Sequence, residues 1–346
     1  MDRSKNADNE TEIIFKSFFD EAPLSWQTIN TSRDESDFRE TLIVTTASGE
    51  KMVIKLADND FTYPQKIKMW QRTVEEYLAV GYYCPKIYSD KDGRFPIIPY
   101  KGHNCTVYEE EFSAFTPIED RAIEKGSKNS SLYDRCKSDI WRMTSIIASK
   151  HLDYTEYPSA YCLFDTFCPS DEVDEVLENA LNWKQYAETL PDIFAEQVQR
   201  IWSLWTENRT QLKTVYHKLP TSVFQADLNP TNILVDKNDR FVGVFDFNLC
   251  GKEVFLNYLM RENFDADFDK EIAMICDMLK VSSEHYHFSN LEKESALMLY
   301  RCLKPLWYNK TERLKALKCD NEAVRSFLNK TEHFLTSYID FKSYMG

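Results

Sequence analysis

The segment from Phe224 to Asn248, FQADLNPTNILVDKNDRFVGVFDFN, sets Asp227, Asn232 and Asp246 beside runs with the composition of buried strands. Polar groups at such positions are costly unless they are paired, hydrated or used. NILV and FVGVF, joined by DKNDR, read as a β-hairpin. A hairpin brings its ends together, so Asn232 and Asp246 become neighbours, with Asp227 at the rim of the loop before them. Two converging oxygen ligands suit Mg²⁺, a hard cation that leaves its other positions to water and phosphate. A further carboxylate not needed by a metal can orient a hydroxyl and accept its proton. Asp and Asn also cap turns, and Asp-x₄-Asn alone is a weak pattern; the strands around it make it specific.

The elements that must position these residues follow from periodicity. Thr11 to Glu21 reads as an opening helix with Ile14 and Phe18 on one face. The runs from Arg39 to Val44 and from Lys51 to Leu56 are β-rich, and TTASGE between them predicts a hairpin turning near Gly49. A helix is expected from Pro64 to Val80, since proline suits a first turn and Gly81 an exit. Short strands are predicted over Pro85 to Tyr88 and Asn104 to Glu109, with DKDGRFP as a turn between them. Beyond about residue 112 the spacing becomes helical: Leu132, Cys136, Ile140, Met143 and Ile147, then Phe194, Val198, Ile201, Trp205 and Leu212. These are core faces. Residues 222–248 form an island of β character within this helical part, and no internal repeat is visible.

The chain of 346 residues is long enough for one large domain or two lobes. Its 22 Phe, 19 Tyr and 7 Trp argue for a folded core, and 8 Gly argue against repeat or linker architectures. A net charge of -14 opposes binding to phosphate backbones, so nucleic acid is excluded as an expected partner. The N-terminal sequence MDRSKNADNETEIIF has no apolar core of a signal peptide, and no run is long enough to span a bilayer. Nine cysteines without a C-x-x-C pair fit reduced thiols in a cytoplasmic protein better than a disulfide frame or zinc site.

QADLNPTNIL followed by GVFDFN resembles the HGDLHPGNIL and IDFD motifs of the aminoglycoside phosphotransferase and choline kinase family. The resemblance implies an α+β, protein-kinase-like two-lobe fold. Residues 1–111 would form a small antiparallel-sheet N-lobe, and residues 112–346 a larger, mainly helical C-lobe with an embedded catalytic β-hairpin. It also implies roles: Asp227 as the catalytic Asp, Asn232 and Asp246 as Mg²⁺ ligands, and Lys55 in MVIKL as the lysine on the nucleotide α and β phosphates. The family pairs that lysine with a helix glutamate, here Glu75, with Glu76 as the alternative. TVYEEEF stands where such kinases hold the adenine ring, making Glu109 and Glu111 candidates by position. The loop NTSRDESDF stands where protein kinases carry a Gly-rich phosphate loop; it has no glycine, and Ser36 is its candidate phosphate donor.

Departures narrow the expectation. Gln225 stands where the family usually has His, Ala226 where Gly is common, and Asn248 replaces the second acid of D-x-D. Asn229 stands where protein Ser/Thr kinases have Lys, which points to a small-molecule acceptor. The resemblance thus implies transfer of the γ-phosphoryl group of ATP, or GTP in its place, to a hydroxyl of a small molecule with Mg²⁺ as cofactor. Aminoglycosides, amino alcohols and sugars are all candidates. The stretch RENFDADFDKE, residues 261–271, suggests a cationic acceptor or an exposed acidic loop. A monomer or weak homodimer is expected, and the alternative class is a catalytically silent nucleotide-binding module.

Overall fold

The computed structural model describes residues 3–346 apart from Glu35, Asn263, Phe264, Ala266, Lys318 and Cys319; the side chains of residues 3–9 and of Asn129 are also outside the description. In chain order the elements are α1 (Arg3–Phe18), β1 (Ser25–Asn30), β2 (Phe38–Thr45), β3 (Lys51–Asp58), α2 (Pro64–Ala79), β4 (Ile87–Tyr88), β5 (Ile97–Tyr100) and β6 (His103–Glu111). Then come β7 (Thr116–Pro117), α3 (Ile118–Glu124), α4 (Asn129–Ser149), α5 (Glu175–Ala187), α6 (Ala195–Tyr216), β8 (Thr221–Phe224), β9 (Ile233–Val235) and β10 (Phe241–Val244). The chain ends with β11 (Gly251–Val254), α7 (Phe255–Arg261), α8 (Phe268–Ser283), α9 (Asn290–Leu303), α10 (Tyr308–Ala316) and α11 (Asn321–Thr336). No described helix is long and apolar enough to cross a membrane.

Two compact units emerge, and the boundary differs from the one expected at residue 111. The first takes Met1–Cys136, Cys168–Ser170 and Asp227–Gly251; the second takes Lys137–Phe167, Asp171–Ala226 and Lys252–Gly346. The hairpin thus groups with the N-terminal sheet rather than with the helices. Backbone bonds are the reason: Tyr83 N–H donates to Val242 O at 2.9 Å, Val244 N–H donates to Tyr83 O at 3.1 Å, and β7 pairs with β9.

In the first unit the main sheet runs β1-β2-β3-β6-β4, antiparallel throughout, with β5 also on β6. Alternation gives it two faces. On one, Leu42, Val44, Ile54, Leu56 and Val107 are buried together with Ile14, Phe15 and Phe18 of α1. On the other stand Thr41, Lys55 and Tyr108, cross-strand partners in one row. Trp70 of α2 meets Tyr108 on that face edge-on at 5.9 Å. Helix α2 follows its sequence signals, with Pro64 in its first turn and Gly81 after it at φ +91°. Strand β1 was not expected; SWQTIN is exposed along its whole length and carries no burial alternation to read.

Gly243 makes the seat of the hairpin. A Cβ there would lie 1.8 Å from Tyr83 O, against backbone that cannot step aside. Gly243→Ala is therefore expected to cost about 3 kcal/mol through overpacking and disrupted backbone bonds, read as a lower urea midpoint at unchanged m-value.

The second unit is mostly helical, with β8 paired to β11. Trp183, Trp205, Phe255 and Phe268 are buried in it, and Phe224 stacks on Tyr258 at 4.3 Å. The acids of residues 261–271 that are described do not form a bare acidic loop. Asp267 caps α8, Asp269 pairs with Lys330 at 2.7 Å, and Glu271 is buried against Lys310 at 3.1 Å. Asp267, Asp269 and Glu271 thus each have a partner within the fold.

Candidate active site

The candidate site lies within the first unit. Val244 pairs with Ile233, and Phe245 N–H donates to Asn232 O at 3.1 Å, so the returning strand sets Asp246 beside Asn232. Asn232 Nδ2 donates to Asp227 O at 3.0 Å and to Asp227 Oδ2 at 3.1 Å. Asn229 Nδ2 donates to Asp227 Oδ1 at 2.5 Å. Asp227 and Asp246 both adopt left-handed backbone, with φ of 77° and 62°. Such conformations cost non-glycine residues about 1–3 kcal/mol each and cluster at functional sites. Burial pushes the Asp227 carboxyl up, and nearby Asp246 adds to this, while hydrogen bonds from Asn229 and Asn232 and the charge of Arg33 oppose it.

Lys55 Nζ sits 3.1 Å from Asp246 Oδ1 and 3.1 Å from Glu110 Oε2. Burial alone would lower the Lys55 ammonium, yet Asp246 and Glu110 outweigh it and hold its pKa well above the usual 10.5. The expected helix partner is corrected here: Glu75 is exposed on α2, and Lys55 takes Glu110 of β6 instead. The reason is helical phase. The buried side of α2 carries Met69, Trp70, Thr73, Val74 and Tyr77, and Glu75 lies two residues, about 200°, around from Thr73. Glu110 is reached because it pairs with Val53, two residues from Lys55, and so shares its sheet face.

Lys55, Glu110 and Asp246 line a cavity of about 630 Å³, whose lining does not include Asp227 or Asn232. Its apolar walls include Ile29, Ile43, Val53, Phe112, Phe115 and Leu234, and its polar lining includes Arg39, Thr41, Lys55, Glu110, Asp246 and Asn248. Of the two adenine-strand candidates, Glu111 lines it and Glu109 does not. Glu109 pairs with Ile54 on the opposite side of the pleat, and burial, with Glu50 nearby, raises its carboxyl to about 7. Tyr83 braces the segment after β6: its hydroxyl donates to Glu111 Oε1 at 2.9 Å and accepts from Ala114 N–H at 3.2 Å. Ser36 is also corrected. Its N–H and hydroxyl both bond Asp34 Oδ1, at 2.8 and 2.6 Å, and it is not in the cavity wall.

Residues 166–256 match the phosphotransferase enzyme family, APH. The match contains the motif segment that carried the resemblance, and bears it out. A search of curated proteins gives no match. Among solved structures, the microcompartment-associated aminopropanol kinase is similar with a TM-score of 0.52 at 13% identity over 94% of each chain. That similarity shows the α+β, protein-kinase-like fold, with an antiparallel sheet near the N-terminus and a helical C-terminal region. Amicoumacin kinase hAmiN, in complex with AMP-PNP, Ca²⁺ and Ami, has a TM-score of 0.49 at 14% identity over 99% of each chain. Choline kinase LicA from Streptococcus pneumoniae has a TM-score of 0.44 at 11% identity, over 95% of this chain and all of its own (100%). The APH match and the fold support a small-molecule phosphotransferase, and do not favour the silent binding module.

As for a metal, among the described residues no three His, Cys, Asp or Glu side chains gather into a binding group. The donors at hand are the amide oxygen of Asn232 and the carboxylate of Asp246. Because Asn232 Nδ2 is fixed on Asp227, its Oδ1 is turned the other way, where Thr231 Oγ1 reaches it at 3.1 Å. This hard-oxygen pair fits a divalent cation that takes its remaining ligands from phosphate and water.

Proposed function

We propose that this protein is an ATP- and Mg²⁺-dependent kinase that phosphorylates a hydroxyl of a small molecule. The observation that carries the reading is the ion pair between Lys55 and Asp246, 191 positions apart in sequence, in the wall of the same cavity. Asn232, set beside Asp246 by the backbone bond from Phe245 N–H, donates from its side chain to Asp227. Such a cluster joins a phosphate-binding cation, two hard metal ligands and a carboxylate with a raised pKa.

In this reading the adenine ring lies among the apolar cavity residues, against the backbone after Glu111. Lys55 neutralises phosphate charge, and Asn232 and Asp246 hold Mg²⁺. The cation, when bound, offsets charge that builds on the phosphate oxygens. Asp227 accepts a hydrogen bond from the acceptor hydroxyl and takes its proton. The acceptor oxygen forms its bond to the γ-phosphorus as the bond from that phosphorus to the β-γ bridging oxygen breaks, releasing ADP. No covalent enzyme intermediate is needed; positioning and charge neutralisation carry the rate.

The test is release of ADP from ATP with a panel of aminoglycosides, amino alcohols and sugars, with and without Mg²⁺. Phosphorylated acceptor formed only with metal supports the reading. A protein that binds no nucleotide with or without metal overturns it.

The glutamate correction gives a paired expectation. Glu110→Gln removes one of the two charges holding Lys55 and should lower kcat/KM for ATP roughly tenfold or more, since hydrogen bonds to charged groups contribute about 1.5–3 kcal/mol. Glu75→Gln changes an exposed side chain and should leave kcat/KM within about twofold. Equal losses in the two variants would return the pairing role to the helix.

A further inference from the structure

Lys55 is already shared between two carboxylates, and the loop in the place of a Gly-rich loop spends its Ser36 donors on Asp34. A triphosphate carries several negative charges and needs more than this. Resting on the nucleotide reading above, we propose that Arg39 is a second phosphate-binding cation of the site, doing from the sheet face what a glycine-rich loop does with backbone amides.

Strand register supplies the geometry. Ile43 pairs with Val53, Thr41 with Lys55 and Arg39 with Ala57. All six line the cavity, so these three rows lie on one face. Successive rows are about 7 Å apart along the strands. Glu110 pairs with Val53 and leads through Glu111 to the segment 112–115, so the adenine side lies towards the Ile43 row. Arg39 lies on the other side of Lys55, in the direction that a phosphate chain leaves the ring.

The guanidinium is held in place yet not used up. Its Nη2 pairs with Asp37 Oδ2 at 3.1 Å, and its side chain is 18% exposed. Its Nε is buried and has no hydrogen-bond partner. The backbone of Arg39 is clamped as well: its N–H donates to Ser32 Oγ at 2.9 Å, and its carbonyl accepts from Thr31 N–H at 2.9 Å. The field of Arg39 also reaches Tyr108, the cross-strand partner of Lys55, where it favours the phenolate form. A fixed guanidinium with unspent donors is suited to chelating phosphate oxygens.

The experiment compares binding of adenosine, ADP, ATP and inorganic tripolyphosphate to the parent, Arg39→Met and Arg39→Lys by calorimetry, with thermal melting as a check on folding. Arg39→Met should weaken ATP and tripolyphosphate roughly ten- to a hundredfold while leaving adenosine unchanged, the scale of one charged hydrogen-bonding group. Arg39→Lys should recover part of the loss. Equal weakening of adenosine and ATP, or none of either, overturns the proposal and leaves Arg39 as a structural partner of Asp37. Should the parent bind neither adenosine nor ATP, the nucleotide reading fails by itself. Tripolyphosphate then still decides Arg39: binding lost in Arg39→Met upholds the phosphate site, and binding unchanged or absent from the parent overturns it.

Discussion

Asp227→Asn is expected to lower kcat by about 10³-fold, within the 10² to 10⁴ range of a positioned general base, with ATP binding nearly intact. The amide keeps the shape and one of the two side-chain hydrogen bonds that the carboxylate accepts from Asn229 and Asn232, but it cannot take the hydroxyl proton. Because burial raises the Asp227 carboxyl above the usual 3.8, aided by Asp246, the parent should have an acidic limb displaced upward from that value. The sign follows from the base role: the reactive form is the carboxylate, so rate is full above the raised pKa and falls as pH drops through it. The limb should vanish in Asp227→Asn. Steady-state rates from pH 4 to 8 for both proteins check this; a variant with parental kcat would remove Asp227 from the chemistry.

Asp246→Asn should be as severe for a different reason. It removes the charge of one of the proposed metal ligands and, at the same time, one of the two carboxylates on Lys55. Loss of a charge-stabilising group of this kind costs about 10² to 10³ in kcat. The distinguishing readout is Mg²⁺ itself: the concentration giving half-maximal rate should rise at least about tenfold, since one ligand charge is lost. Asp227→Asn should leave that concentration nearly unchanged. If both variants shift it equally, the two aspartates do not divide the work as assigned.

Glu110 and Arg39 were missed for one shared cause, strand register. TVYEEEF has three consecutive glutamates, and composition gives no reason to choose the middle one. The pairing of Val53 with Glu110 decides it, because one step along a strand reverses the face on which a side chain stands. Arg39 was invisible as a site residue for the same reason. Its place beside the Lys55 row depends on the register between β2 and β3. Ser36 failed for a more local reason: Asp34, two residues earlier, captures both of its donors in a turn. The unit boundary was misplaced because it rests on Tyr83 reaching the hairpin, a contact between residues distant in sequence.

Local order in the chain was sufficient for features whose determinants lie within a few residues of one another. The hairpin bearing Asn232 and Asp246, the start and exit of α2 and the alternation that leaves Lys55 on a strand are of this kind, because turn chemistry and side-chain period act over short spans. Tertiary structure alone chose which carboxylates meet Lys55, which arginine joins its face, and which elements the hairpin docks against. Those choices depend on strand register and close backbone approach, and both are settled only when distant segments pack together.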